Sequence, residues 1–422
     1  MESVTFVTEP LLHPDFVQFR VVAPLLSKLR GTWEPTLAAP FLSEAVIGAL
    51  EERGIRALSG GAWFPRLRNS RDEAPSYVLS WARDALLGWN RNCIDGLLGG
   101  SDAIRVNFSM TSAFDADCWY VQSRPLEPAL AALRKGVDWN ARLALSVVSP
   151  FVNQLDKWHS QQMARCAGRV YTSSTHVAQW FRSQGVPVDG VFPVYYSPAM
   201  RPSTTSPSRD YVLCYLAKET DGAGLTALLR TGLPIRLFGA KTASWVSGVL
   251  RHHPFPNAQV LGRVSEEKLR DLYTNALVTA FPFTEESFGL VPVESMACGT
   301  PVLTYRAQGP GETVLDGRTG WLVRTPEELA ECASRIFRDG YGGEMVRACL
   351  ARSAEFSLDA AYSHWDQLLS SIASGRVVPA SPSASPQRDA RSRALTLPAG
   401  RGQRVEGQRF ATGSVKPPYN SS

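Results

Sequence analysis

The chain reads as an α/β protein made of two Rossmann-like halves that meet near residue 200. Short β-rich runs alternate with amphipathic helical patterns, as in parallel sheets covered by helices on both faces. The alternation begins again near Asp210, and 422 residues suffice for about two domains of ordinary size. With 44% hydrophobic and 20% charged side chains, the composition is that of a soluble globular protein with a sizeable core. The predicted organisation is an N-terminal Rossmann-like domain over 1–200 and a second over 201–356. A C-terminal helix over 357–374 is expected to pack back toward the first domain, followed by a disordered basic tail over 375–422.

In the first half, Val4-Thr-Phe-Val-Thr8 opens as a strand, and residues 19–29 suggest a helix disturbed by Pro24. Residues 103–108 and 118–122 are the next strands. Val170-Tyr-Thr closes another, Ser174 is placed to cap the helix after it, Val177, Trp180 and Phe181 share that helix's face, and Gly185 ends it. In the second half, residues 211–216 form a strand, a helix ends near Gly232, and residues 234–238 form the next strand. Ser265 caps a helix presenting Leu269 and Leu272, and an apolar strand follows over 277–281. Thr325-Pro-Glu-Glu328 is the clearest helix start, with a capping Thr, Pro at the first helical position and Glu placed for a capping box. Paired halves of this kind hold ligands at the carboxyl ends of their strands.

The longest apolar runs, such as 276–283, fall short of the roughly 18 residues needed to cross a bilayer, so no transmembrane helix is expected. Met1-Glu-Ser-Val-Thr-Phe-Val-Thr does not read as a secretion signal, which makes the cytoplasm the expected location. The seven cysteines form no CxxC pair and read as small buried hydrophobes in a reducing compartment. His252-His253 lacks a nearby third ligand and no HExxH occurs, so no metal site is expected. Of the net +5, the tail carries more than the whole. After Gly375 eight basic residues face two acids, whereas 36 basic residues face 37 acids before it. A balanced body disfavours a basic nucleic-acid groove, and the tail is a solvated segment or one attracted to an anionic membrane surface.

The residues that carry chemistry follow the strand ending at Phe281. A loop over 282–291 leads to a helix with Pro292 in its first turn and Gly299 at its stop. Backbone N–H groups of Phe288, Gly289 and Leu290 are expected to point with the helix dipole toward an anion, and Gly289 lets phosphate approach closely. Glu294 is expected in the first helical turn, where a carboxylate is favoured and accepts hydrogen bonds from vicinal sugar hydroxyls. Glu286, on the loop, approaches the same nucleotide from its other end. On spacing alone, Glu294 also reads as an ordinary first-turn acid and Glu286 as an ordinary solvated loop residue.

The longer string Phe281-Pro-Phe-Thr-Glu-Glu-Ser-Phe-Gly-Leu-Val-Pro-Val-Glu-Ser-Met-Ala-Cys-Gly-Thr-Pro-Val resembles the donor-site signature of glycosyltransferase family 4. The resemblance continues through Gly309-Pro-Gly-Glu312 and Asp316-Gly-Arg-Thr-Gly-Trp-Leu-Val323 and reaches back to Gly262-Arg-Val-Ser-Glu-Glu-Lys-Leu-Arg-Asp-Leu-Tyr273. It covers the C-terminal half well and the N-terminal half in outline. It implies a GT-B fold, an NDP-sugar co-substrate with no other cofactor, and metal-independent transfer with retention to a glycan, lipid-linked or small-molecule acceptor. It also implies that Glu286 faces the donor sugar or leaving phosphate, that Glu294 binds the ribose, and that Ser287, Phe288, Gly289 and Leu290 contact the donor through their backbone.

A departing diphosphate needs positive charge, which without a metal comes from side chains and N–H dipoles. Lys218 stands at about the first basic position of the family's pair. Residues 219–224 hold no second one, and Lys241 is the candidate substitute. In the N-terminal half, Thr8-Glu-Pro-Leu-Leu-His13 replaces the family's Gly-Gly turn, and Val148-Ser149-Pro150 stands near the place of its His. His159 is the nearby alternative, and Trp119, Tyr120 and Gln122 are candidates for an acceptor site. Three other readings stay open: a metal-dependent transferase using Asp115-Ala-Asp117 as a DxD motif, an inactive glycosyltransferase-like binding or scaffold protein, and a sugar-nucleotide epimerase or phosphorylase of similar fold.

Overall fold

The computed structural model describes residues 1–14, 17–60, 89–100, 102–123, 139–203, 206–217, 219–239 and 255–375. Lys218, Lys241, His252-His253 and the expected disordered tail beyond Gly375 lie outside the described residues.

Two parallel sheets form the frame. The first contains β1 (Glu2–Val7), β2 (Trp33–Ala39), β3 (Arg56–Ser59), β4 (Ile104–Asn107), β5 (Cys118–Val121), β6 (Val170–Thr172) and β7 (Gly190–Val191), ordered β3-β2-β1-β4-β5-β6-β7. The second contains β8 (Val212–Tyr215), β9 (Ile235–Phe238), β10 (Ala258–Gly262), β11 (Val278–Phe281), β12 (Val302–Tyr305) and β13 (Gly320–Val323), ordered β10-β9-β8-β11-β12-β13. Val4 pairs with Pro35 and Ile104, and Thr279 with Leu213 and Val302. The strand order reverses between β1 and β4, and again between β8 and β11. These are the switch points beside which open parallel sheets bind ligands. Every residue of β11 is buried, as an apolar run covered on both faces requires.

Helices α1 (Val17–Leu29), α2 (Glu44–Glu51), α3 (Trp89–Leu98), α4 (Trp139–Arg165) and α5 (Thr175–Ser183) belong to the first half. The second half carries α6 (Gly222–Leu229), α7 (Glu266–Asn275), α8 (Leu290–Ala297), α9 (Pro310–Thr313), α10 (Pro326–Asp339) and α11 (Gly343–Ala354). Ser174, Ser265 and Thr325 cap α5, α7 and α10 by accepting from the N–H groups of Val177, Lys268 and Glu328.

Pro24 does not interrupt α1. A helical proline strains the ladder around it. The buried Tyr195 hydroxyl steps in there: it accepts from Leu25 N–H at 3.2 Å and donates to the Val21 carbonyl.

The last helix, α12 (Leu358–Ala373), returns to the first half. Its Trp365 packs on Phe6, Phe108 and Tyr120 at centroid distances of 5.6, 5.3 and 5.2 Å, while Trp33 Nε1 donates to Asp366 at 2.8 Å. One apolar cluster therefore runs from β1 through α12 to Phe288 and Val293 of the second half.

Candidate functional site

The site begins where β11 ends. Phe281 and Phe283 stack at 3.9 Å, with Tyr215 at the carboxyl end of β8 lying 5.6 Å from Phe283, its ring nearly parallel. The chain then turns through Glu285, which adopts φ 71°, into the loop that feeds α8. A second loop rises beside it from β12, with Gln308 at φ 60°. Left-handed backbone at two non-glycine residues is costly and persists where surrounding bonds impose it. Here Gln308 Oε1 accepts from Glu286 N–H at 2.8 Å, and Gly309 N–H donates to the Glu286 carbonyl at 3.2 Å. A Cβ on Gly309 would lie 2.3 Å from the Ser287 carbonyl oxygen and 2.4 Å from Phe288 Cα, so the two loops meet this closely only through glycine.

Gly289, at φ 93°, is the N-cap of α8. The helix therefore starts at Leu290, which corrects the expected place of Glu294: it is the fifth helical residue and lies in the second turn. Pro292 stays in the first turn, where a missing N–H costs no helical bond. The expected free N–H groups are also corrected. Phe288 and Gly289 both donate to Glu286 Oε1, at 3.3 and 3.2 Å. The helix N-terminus thus holds an anion, and that anion is the carboxylate of the neighbouring loop. Leu290 is the first helical residue and is half-buried, whereas Ser287 is buried.

Burial raises the Glu286 carboxyl above its ordinary range and the Glu219 carboxylate pushes the same way, against backbone bonds from Phe288, Gly289 and Ser287. Glu294 is pushed up to about 7, chiefly by burial; the Arg20 guanidinium and the Tyr273 hydroxyl, which donates to Glu294 Oε2 at 3.2 Å, pull it down. Tyr215 is pushed up to about 12 by burial and by Glu219, Glu286 and Glu294. Its ring lies against Phe281 and Phe283, at the base of the loop that carries Glu286. Tyr215 was missed in the sequence reading, although its position at a strand end two residues past Leu213 was a usable signal.

In the segment expected to hold a second basic residue, Asp221 caps α6 instead. Its carboxylate accepts from Ala223 and Gly224 N–H and from the Tyr305 hydroxyl, the last at 2.7 Å. The first half closes on the site through α5: Ser174 Oγ donates to the Ser287 carbonyl at 2.6 Å, and Glu312 accepts from Thr175 and His176 N–H at 2.8 and 2.5 Å. Arg20 of α1 approaches Glu266 of α7 at 3.4 Å.

Where the family's Gly-Gly turn would lie, Glu9 accepts from Ser109 Oγ, Met110 N–H and Thr111 Oγ1 at 2.7 to 2.9 Å. His159 is buried beneath the same loop, bonded to the backbone of Thr111 and Met110, and burial lowers it to about 4. It is a neutral imidazole near pH 7. Residues 148–150 lie within α4 rather than on a loop. Trp119 and Tyr120 belong to the core: Trp119 Nε1 donates to the Ser109 carbonyl and the Tyr120 hydroxyl to the Phe192 carbonyl. Gln122 is half-buried at the strand end. Asp115 and Asp117 lie at the amino end of β5, in an open depression with Asp102, Arg105 and Arg169, on the sheet edge opposite the carboxyl ends. Asp117 accepts from Arg105 N–H there at 2.8 Å.

The family described as glycosyl transferases group 1 matches residues 250–352. A D-inositol 3-phosphate glycosyltransferase of Acidothermus cellulolyticus is 38% identical over 108 residues, which is 25% of this chain and 22% of that protein. The match thus spans about a fifth of that curated relative's length. Among solved structures, sucrose-phosphate synthase from Thermosynechococcus elongatus superposes with a TM-score of 0.66 at 15% identity, covering 89% of this chain and 100% of that one. HepE of Anabaena in complex with UDP superposes with a TM-score of 0.60 at 15% identity, covering 87% and 100%. The two parallel-sheet, Rossmann-like domains share the GT-B fold of these structures, and residues 250–352 are the part similar to the glycosyl transferases group 1 family.

Proposed function

We propose that this chain is a retaining glycosyltransferase of family 4 that moves a sugar from a nucleoside diphosphate sugar to a glycan, lipid-linked or small-molecule hydroxyl, without a metal or other cofactor, at the cytoplasmic side of the cell. The observation that carries the reading is the Glu286 carboxylate on the N–H groups of Phe288 and Gly289. A receptor that accepts one oxyanion accepts another of suitable shape. The donor diphosphate displaces Glu286 from these N–H groups, and the released carboxylate turns to the sugar. Glu294 takes the ribose hydroxyls, and Lys218 and Lys241 supply positive charge to the leaving group. The anomeric carbon exchanges its bond to the diphosphate oxygen for one to the acceptor oxygen on the same face, and the acceptor proton leaves with the diphosphate. Support comes from the matched domain and from a UDP-bound neighbour of the same fold.

A second reading, a binding protein that retains the donor site without turnover, is favoured by Asp221 on the α6 N-terminus, where a cation would serve a leaving group. The test is slow release of free nucleoside diphosphate from UDP-, GDP- and ADP-sugars in the presence of EDTA. Release with one donor, at least tenfold reduced in Glu286→Ala, supports the transferase. Binding without release supports the second reading, and release that requires manganese overturns the metal-independent mechanism.

A further inference from the structure

Helix α4 buries Met163 in the apolar core near its end, but over its earlier turns polar side chains face inward and large apolar ones outward. Toward the protein it turns Ser149, Asp156 and His159, all at most 5% exposed. Toward solvent it turns Leu143, Val147, Phe151 and Trp158, which are 62, 74, 72 and 45% exposed. Their spacings of four, four and seven residues put them on one helical face. Pro150, on the same face, is also exposed. Large apolar side chains aligned on a single face, unlike scattered ones, mark a surface that something covers.

The position of the stripe is informative. His159 is bonded to the Met110–Thr111 backbone, just past the carboxyl end of β4. The helix between Leu143 and His159 is roughly 24 Å long. Cys166, just past the end of α4, accepts from Ala116 N–H at the amino end of β5, so α4 runs opposite to the strands and begins toward their carboxyl ends, the side on which Ser174 meets the Ser287 loop. Charge selects the occupant. Among the described side chains of α4, the charged ones are Lys157, Arg165 and Asp156; Arg165 is exposed, Lys157 half-buried and the acid buried. A symmetric pairing of two copies through α4 would oppose like charges across an apolar seam. An anionic lipid surface satisfies both features, receiving the apolar face at the acyl boundary and the basic side chains at the headgroups. The tail, with its surplus of six positive charges, adds attraction of the same sign.

We propose that the exposed face of α4 docks this protein on an anionic lipid bilayer with its strand-end edge turned toward the membrane. The inference does not depend on the transferase reading, because lipid binding and nucleotide binding are separate measurements. The experiment is flotation of the full chain with vesicles of phosphatidylcholine alone and of phosphatidylcholine containing about 30% phosphatidylglycerol. Wild type is expected to float with the anionic vesicles only, and the combined variant Leu143→Ser, Val147→Ser, Phe151→Ser to lose roughly tenfold or more in partitioning. Phe151→Ser alone, at a surface position, is expected to lose roughly threefold and serves if the combined variant does not fold. Absence of anionic-vesicle binding by wild type overturns the proposal. So does unchanged binding by the folded variants, which would assign adhesion to the tail. A wild-type dimer in sedimentation that the substitutions dissociate overturns it too, because a second copy would then cover the face.

Discussion

At the scale of single residues, the site keeps carboxylates where water is scarce. Glu294, with its carboxyl pushed from 4.5 to about 7, holds its proton in the fold at pH values where the unfolded chain has already released it. Between those values the folded state binds more protons, so stability falls as pH rises from about 4.5 to about 7 and stays lower above it. Glu294→Gln removes this dependence. It is expected to raise the melting temperature by about 2–4 °C at pH 8 and to leave it unchanged near pH 4. An equal shift at both pH values would contradict the account of Glu294. The two glutamates were visible in the sequence because they sit eight positions apart in a distinctive string. That Glu286 would occupy its own helix N-terminus was not visible, because it depends on the Glu285 turn and on a bond to Gln308 from another loop.

At the scale of elements, local signals performed well where the chemistry is local. Ser174, Ser265 and Thr325 cap their helices because a side-chain oxygen three residues before an N–H needs no distant partner. The disturbance expected at Pro24 is present, but its compensation was not legible because it comes from Tyr195, 170 residues from Leu25. Tyr195→Phe leaves the Leu25 N–H and Val21 carbonyl without that hydroxyl and is expected to cost about 2–3 kcal/mol in urea unfolding. A loss below about 0.5 kcal/mol would show that α1 closes its own ladder there. The clamp on α5 is equally nonlocal. Glu312→Ala removes a carboxylate from two N–H groups and is expected to cost about 1–2 kcal/mol by the same measurement. Wild-type stability in this variant would mean that the α5 contact carries no energy.

At the scale of the whole molecule, the two parallel sheets were legible because alternating strand and helix patterns leave few ways to bury both faces. The return of the C-terminal helix to the first half was legible and is met by α12, but the particular pairs that join the halves were not. Trp365 against Phe6, Phe108 and Tyr120, Ser174 against Ser287 and Glu312 against α5 all link distant segments, and sequence order does not announce such meetings. The same architecture sets Glu286 on the start of α8 and Glu294 in its second turn, and the central claim is that this is where a nucleoside diphosphate sugar binds. Calorimetric titration of UDP-, GDP- and ADP-sugars into wild type and Glu294→Ala tests that claim most directly. The account predicts saturable binding of at least one donor, weakened roughly tenfold or more by the substitution. Binding of none, or equal binding by both proteins, would contradict it.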